Sequence, residues 1–136
     1  HDHKDAGLLT VLWQQEEQSA LQAWHRASST WLDVVPHEDA LVLNAGDMLQ
    51  VLTNDRVYAP PHRVVLRPEH RKKTRISAPF FYNPGFGALI EPLDVAQDEA
   101  NYKPLSWAHF RRRRIAGDFA DEGTEIQIEH FRTDLQ

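Results

Sequence analysis

The sequence predicts an all-β domain, either a sandwich or a barrel, with one helix near its C-terminal end. Short runs rich in β-branched and aromatic residues recur along the chain, separated by polar, glycine or proline residues. Only one later stretch combines helical spacing with helix-end signals. The 136 residues are enough to enclose one core, so we expect residues 1–136 to form a single domain.

The strands are predicted from the apolar runs and the turn formers that bound them. We expect strands at Leu8–Gln14, Ala20–Trp24, Trp31–Val35, Ala40–Asn44, Arg63–Arg67 and Thr74–Tyr82, and a brief helical turn at Gly46–Leu52. The polar residues after Gln14 predict a turn. Because the predicted strand Ala40–Asn44 is continuously apolar up to its last residue, it indicates a strand buried on both faces. Residues 83–93 are predicted to form a loop with at most a short strand.

A helix is predicted at Ser106–Ile115. Its first residue is a suitable N-cap, Trp107 and Phe110 form an apolar pair at spacing i, i+3, and Gly117 is a helix-end signal. Arg111–Arg114 lie towards the end where positive charge is favoured. We interpret these arginines as a solvated helix end; a patch that binds an anion or a nucleic acid is the alternative.

Three residues carry a metal-binding signal, namely His3, Asp5 and His62. Two imidazoles and one carboxylate hold one face of an octahedral Fe(II) ion and leave three positions for reacting ligands. Residues i and i+2 of a strand point to the same side, so His3 and Asp5 can reach one ion. His62 would join them from a second strand. Chance surface histidines are the competing interpretation, and His1 is an alternative first ligand.

A second signal follows in Arg75 and Ser77, which share a face by the same alternation. A guanidinium grips a carboxylate through two parallel hydrogen bonds, and a neighbouring hydroxyl adds another. Beside a metal, the pair indicates a receptor for a dicarboxylate; a structural ion pair is the alternative. Phe81 has the same parity and could line the pocket, although packing in the core is the favoured interpretation.

These motifs occur in the order and spacing of a known family. The matching segments are His3–Leu12, Leu21–Gln22, Trp31–Pro36, Leu41–Gln50, Thr53–Asn54, His62–Val64 and Arg75–Ser77, with a weaker echo at Tyr102–Pro104 and Trp107. On these residues the chain resembles the C-terminal catalytic portion of the non-haem Fe(II)- and 2-oxoglutarate-dependent oxygenases, the isopenicillin-N-synthase-like superfamily. The resemblance implies a double-stranded β-helix, which is a jelly-roll fold related to the cupins.

The chain departs from the family pattern at four places. Gln14-Gln15 replaces a frequent Gln-Asp pair, and Ala20 replaces a common glycine. Asn54-Asp55 stands where Asn-Gly is frequent, so that turn must take its positive φ from Asn or Asp. The basic run Arg71–Lys73 lengthens the connection to Arg75. None of these departures involves the five candidate site residues.

The resemblance implies a chemistry for those five residues. Fe(II) would be held by His3, Asp5 and His62, and the far carboxylate of the cosubstrate 2-oxoglutarate by Arg75 and Ser77. With dioxygen, such an enzyme oxidises a small organic molecule, usually by hydroxylation, and releases succinate and CO2. Two alternatives remain. One is an Fe(II) oxidase of the same family that works without 2-oxoglutarate, drawing electrons from substrate or ascorbate. The other is a non-catalytic, metal-holding β-helix module.

Composition limits the partners. The net charge of −5 argues against a nucleic-acid surface, and no apolar run approaches the ~20 residues of a membrane span. The absence of cysteine excludes disulfides and thiolate metal sites. Family members carry a long region before the first metal ligand. We therefore expect this chain to be a fragment whose missing N-terminal segment completes it, in a protein expected to be cytoplasmic.

Overall fold

The computed structural model describes residues 2–15, 19–65, 67–68, 74–119 and 125–134. The strands are β1 (Leu9–Gln14), β2 (Leu21–His25), β3 (Thr30–Asp33), β4 (Val42–Ala45), β5 (His62–Val64), β6 (Ser77–Tyr82), β7 (Leu89–Ile90) and β8 (Leu105–Ser106). The α-helices are α1 (Asp47–Leu52) and α2 (Trp107–Phe119), and 3-10 turns form at Gln97–Glu99 and Ile128–Phe131.

Three antiparallel sheets contain these strands. Their orders are β4-β1-β6, β3-β2-β5 and β7-β8. Each larger sheet joins strands that are distant in sequence. The chain passes from β1 to the β2–β3 hairpin in the other sheet, and β4, β5 and β6 then alternate between the two sheets. This alternation is the arrangement of a double-stranded β-helix, so the predicted fold class is confirmed. The β2–β3 hairpin turns at Ser29, which has a φ of 50°.

Most element predictions are confirmed to within a few residues, but four details are wrong. β6 begins at Ser77, so Arg75 precedes the strand, and β5 ends at Val64. The helix α2 continues through Gly117 to Phe119, so this glycine is not the helix-end signal that the sequence indicated. β4 is not buried on both faces: Leu43 is 70% exposed, on the same cross-strand row as Phe80.

The core lies where the C-terminal part of the chain packs against α1. Its members are buried apolar side chains from α1, β7, β8, α2 and the final turn: Met48, Val51, Ile90, Tyr102, Leu105, Trp107, Phe110, Ile126 and Ile128. The predicted pair of Trp107 and Phe110 faces this core. Ser106 caps the helix as expected, since its Oγ accepts a hydrogen bond from the backbone N–H of His109.

The turn after α1 is hydrogen-bonded to the C-terminal segment of the chain. Asn54 and Asp55 have φ values of 50° and 67°, so the departure from Asn-Gly is accommodated as predicted. The Asp55 carboxylate accepts hydrogen bonds from Tyr102 Oη and from Arg132 Nη1. The turn thereby anchors the C-terminal segment to α1.

Some predictions fall on residues that the structure does not describe. His1 and the basic run Arg71–Lys73 lie outside the described residues, as does most of the predicted turn after Gln14. Across the described ranges, neither helix has the length and apolar character needed to cross a bilayer.

Candidate metal centre

Two histidines distant in sequence are paired by their backbones. The N–H of His3 donates to the carbonyl of His62 at 3.1 Å, and the N–H of His62 donates back at 2.9 Å. This antiparallel bridge sets the side chains of the two residues beside each other, with ring centroids 4.4 Å apart. His62 opens β5, so one imidazole comes from the β3-β2-β5 sheet.

Asp5 supplies the third candidate ligand. Its Oδ1 lies 3.6 Å from His62 Nε2 and 3.9 Å from His3 Nε2. One ligand atom from each of these residues can be chosen so that all lie within 4.8 Å of one another. The Asp5 side chain is 10% exposed and that of His62 is 16% exposed, whereas His3 is half exposed. One donor atom from each of the three residues is thus close enough to the other two to share a single ion.

The other carboxylate oxygen of Asp5 is already occupied. Asp5 Oδ2 accepts a hydrogen bond from Thr10 Oγ1 at 2.5 Å and one from Asn44 Nδ2 at 2.8 Å. Thr10 on β1 and Asn44 on β4 are direct cross-strand partners, so the sheet itself sets both donors. With Oδ2 held in this way, Oδ1 is the oxygen that faces the imidazoles.

The tautomer of His62 also suits metal binding. Its Nδ1 lies 3.2 Å from the carbonyl oxygen of Pro60, which can only accept a hydrogen bond. A neutral His62 therefore carries its proton on Nδ1 and presents the lone pair of Nε2 towards Asp5. A backbone carbonyl that fixes the ligand ring in this way is a common feature of metal sites.

The N-terminal end of α1 holds the backbone of the Asp5 segment. The N–H of Asp47 donates to the carbonyl of Asp5 at 2.7 Å, and the N–H of Met48 donates to that of Gly7 at 3.0 Å. The approach is close, because a Cβ atom added at Gly46 would lie 2.3 Å from the Gly7 carbonyl oxygen. Glycine is therefore required at position 46.

The carboxylate of Asp47 binds the helix α2. Asp47 is fully buried and pairs with Arg114, which is 6% exposed. Burial raises the pKa of Asp47 to about 6, although the Arg114 guanidinium favours the ionised form. Arg114 also donates to Glu125 Oε1 at 2.7 Å. One residue, Asp47, thus connects the segment of the candidate ligand Asp5 with the helix α2.

Arg75, Ser77 and Gln14 form a second cluster on the β1–β6 sheet. Arg75 Nη1 donates to Ser77 Oγ at 3.2 Å, and Arg75 Nη2 donates to Gln14 Oε1 at 3.0 Å. Both partners are neutral, and among the described residues Arg75 has no acidic partner. Burial lowers the pKa of Arg75 from its ordinary value. The alternative of a structural ion pair is therefore wrong within this part of the chain.

A cavity of about 560 Å³ opens onto His3 and Asp5. Phe81 lines it and is 53% exposed, so the expectation that Phe81 packs in the core is wrong. Arg111 and Arg114 of α2 line it as well. The interpretation of the four arginines as a solvated helix end is wrong for Arg114, which is buried in its ion pair.

The structure brings His3, Asp5 and His62 together and, separately, Arg75 and Ser77. The prediction that these residues come together because they share one face of a strand is only partly right. His3 belongs to a single bridge, and Asp5 and Arg75 lie outside regular strands. The missed residues are those that hold the candidate ligands and Arg75: Thr10, Gln14, Asn44 and Asp47. Thr10 and Gln14 share one parity in an otherwise apolar strand, which is a signal that the sequence did offer.

A model of the 2OG-Fe(II) oxygenase superfamily matches residues 1–84. The chain belongs to this superfamily. Two relatives from Arabidopsis thaliana are 1-aminocyclopropane-1-carboxylate oxidase 5, 39% identical over 88% of this chain, and jasmonate-induced oxygenase 2, 34% identical over 80%. The chain spans 35% and 29% of the lengths of these two superfamily members.

Solved structures of the superfamily have the same fold. A full-length Neurospora crassa protein, solved in complex with alpha-KG and thymine, superposes with a TM-score of 0.76 at 29% identity, over 88% of this chain and 37% of that one. The rice dioxygenase for auxin oxidation has a TM-score of 0.79 at 23% identity, over 97% of this chain and 44% of that one. The second likeness supports the jelly-roll fold alone.

Proposed function

We propose that the protein is a non-haem Fe(II)- and 2-oxoglutarate-dependent dioxygenase. It would oxidise a small organic molecule, by hydroxylation as the default, and release succinate and CO2. The observation that carries this proposal is the clustering of His3, Asp5 and His62, each of which offers a ligand atom within 4.8 Å of those of the other two. Two imidazoles and one carboxylate on a single face are the donor set that non-haem Fe(II) oxygenases use.

The chain's own residues fit this metal. His3, Asp5 and His62 would hold it, and Thr10 and Asn44 would keep Asp5 turned so that a single oxygen faces it. When bound, Fe(II) supplies the redox chemistry that couples decarboxylation of the keto acid to oxidation of the substrate by dioxygen. The protein contributes orientation, since the carboxylate and the His62 ring are both fixed before any metal arrives.

Arg75 and Ser77 would hold the far carboxylate of 2-oxoglutarate. Arg75 is partly buried and its described partners are all neutral, so its positive charge is only partly compensated, and an anion would compensate it. Its planar fork suits a carboxylate, and Ser77 Oγ can add a hydrogen bond. The keto acid end would then extend towards the three metal ligands.

The cavity supports a small-molecule substrate. Its volume of about 560 Å³ lies within the range of ligand pockets, and it opens onto two of the proposed metal ligands. Structures of the Neurospora crassa protein with thymine and of JOX2 with JA indicate that superfamily members accept compact organic molecules. Phe81 would contribute an apolar wall beside the polar groups of the metal site.

A second candidate function is an Fe(II) oxidase that does not consume 2-oxoglutarate. It is favoured by one observation, the 39% identity to a relative whose name describes an oxidase. Such an enzyme would use the same three ligands with electrons from its substrate or from ascorbate. It would leave no succinate, which separates the two functions experimentally.

The test uses the full chain loaded anaerobically with Fe(II). Titration with 2-oxoglutarate should produce the visible charge-transfer band of a keto acid chelate, and admission of air should yield succinate. In Arg75→Gln we expect the 2-oxoglutarate concentration at half-saturation to rise about 10- to 100-fold, since hydrogen bonds between charged groups are lost.

Arg56→Gln is the matched control, because Arg56 is exposed and donates only to the nearby carbonyl of Thr53. Its half-saturation should equal that of the unmodified protein. A saturable band whose half-saturation is the same in Arg75→Gln and Arg56→Gln would contradict the cosubstrate assignment. Absence of both band and succinate, with iron bound, would favour the oxidase or the non-catalytic module.

A further inference from the structure

Gln14 occupies a position beside Arg75 that the proposed metal and cosubstrate ligands do not account for. It ends β1 directly opposite Ser77 of β6, and it is 5% exposed. Its Oε1 accepts a hydrogen bond from Arg75 Nη2 at 3.0 Å. Its Nε2 is buried and has no hydrogen-bond partner among the described residues.

The orientation of this amide is fixed. A guanidinium carries donors only, so the group of Gln14 that faces Arg75 must be the oxygen. A flipped amide would place NH₂ against N–H and lose the bond. The two hydrogens of Nε2 therefore point away from Arg75, and Nε2 itself is buried from solvent.

Gln14 is not the only buried donor without a partner here. Arg75 Nε is also buried and lacks an acceptor among the described residues. A buried polar group left without a hydrogen bond is unfavourable and rare in native proteins. Two such donors on side chains that bond to each other indicate a missing group that offers several acceptor atoms. A carboxylate is such a group, because it accepts hydrogen bonds at both oxygens.

We propose that Gln14 is part of the cosubstrate site and that its Nε2 donates to the far carboxylate of 2-oxoglutarate. The inference rests on the proposed function and extends it to a residue outside the Arg75–Ser77 pair. Gln14 then has two roles. Its oxygen keeps the guanidinium aligned, and its nitrogen contacts the same anion that the guanidinium binds. Together the groups select keto acids that carry a second carboxylate.

The experiment compares two keto acids on Gln14→Met in the full, Fe(II)-loaded chain without oxygen. Methionine keeps the unbranched shape and removes both the donor and the acceptor. The ligands are 2-oxoglutarate and 2-oxopentanoate, which has the same chain length but ends in a methyl group. Binding is followed by the charge-transfer band and by calorimetry. We expect the Kd for 2-oxoglutarate to rise about 10- to 100-fold and that for 2-oxopentanoate to stay unchanged.

Gln22→Met is the matched control. Gln22 also accepts a hydrogen bond from an arginine, Arg63, but it lies on the other large sheet and its nitrogen already donates to Asp33. Both keto acids should bind this variant as they bind the unmodified protein. Equal weakening of both ligands by Gln14→Met would overturn the proposal, since it would indicate a disturbed metal site. Unchanged 2-oxoglutarate binding would overturn it as well.

Direct contact is separated from an effect through Arg75 by repeating Gln14→Met in the Arg75→Gln background. If Nε2 contacts the anion, Gln14→Met weakens 2-oxoglutarate binding in the Arg75→Gln background too. If Gln14→Met has no effect in that background, Gln14 only positions Arg75 and the proposal fails. The proposed function has its own outcome. Should Arg75→Gln alone leave 2-oxoglutarate binding intact, the cosubstrate assignment fails, whereas weakening by Arg75→Gln but not by Gln14→Met removes only the present inference.

Discussion

Removing the Thr10 hydroxyl tests whether the second oxygen of Asp5 is held for metal binding. Thr10→Val keeps the branched shape of a side chain that is 5% exposed and deletes the donor 2.5 Å from Asp5 Oδ2. A hydrogen bond to a charged acceptor contributes about 1.5–3 kcal/mol, or roughly 10- to 100-fold in affinity. Asn44 still donates to Asp5 Oδ2 from 2.8 Å, so we expect the loss of metal affinity to lie at the lower end of this range.

The assay is a competition between the metal-free full chain and a chelator for Fe(II), or for Mn(II) in air. Thr30→Val is the control, because Thr30 is an exposed strand threonine on β3. Urea unfolding of the metal-free proteins separates loss of metal affinity from loss of stability. If Thr10→Val binds metal as tightly as Thr30→Val does, the hydroxyl does not prepare Asp5, and the orientation argument is wrong.

Asn44→Ala extends the same test. Thr10 and Asn44 face each other across β1 and β4 and share one acceptor oxygen, so their effects should not be additive. With either donor present, Oδ2 remains occupied. With both removed, the carboxylate can rotate, and the combined loss of metal affinity should exceed the sum of the two single losses, counted as free energies.

Two further predictions concern stability. Arg114→Met should lower the free energy of unfolding by about 3–5 kcal/mol in urea titrations, because it leaves Asp47 buried without its partner. The exposed Arg113→Met should have little effect, and Asp47→Leu combined with Arg114→Met should recover much of the loss. Burial raises the pKa of Asp55, but hydrogen bonds, led by that from Tyr102, outweigh burial and lower it below 3.8. The ionised Asp55 therefore stabilises the folded state fully above its ordinary pKa, and this stabilisation is lost as the pH falls through the lowered pKa. The free energy of unfolding should then fall less steeply below about pH 4 in Asp55→Asn than in the unmodified protein.

The clustering of the three candidate ligands could be predicted from sequence. The residue types of His3, Asp5 and His62 suit a metal, and the surrounding segments occur in the family's order, which chance histidines would not explain. The local geometry was less predictable. A backbone bridge between His3 and His62 aligns the rings, and a bridge between residues so distant depends on the whole fold.

The residues that support the ligands could not be assigned from sequence for the same reason. Asn44 contacts Asp5 beside Thr10 only because β1 and β4 pair in a register that sets Asn44 opposite Thr10. A slip of β4 by one residue would turn Asn44 to the other face of the sheet. The exposure of Leu43 was missed because a continuous apolar run does not indicate which of its faces is covered.

Asp47 joins stability and metal binding through separate atoms. Its backbone N–H supports the carbonyl of Asp5, whereas its carboxylate holds Arg114 of α2. A side-chain change such as Arg114→Met removes the second contact and leaves the first donor in place. The candidate metal site is held independently by the His3–His62 bridge and by the donors on Asp5 Oδ2. Loss of the buried ion pair should therefore reduce stability far more than metal affinity, and loss of the Thr10 hydroxyl should do the reverse.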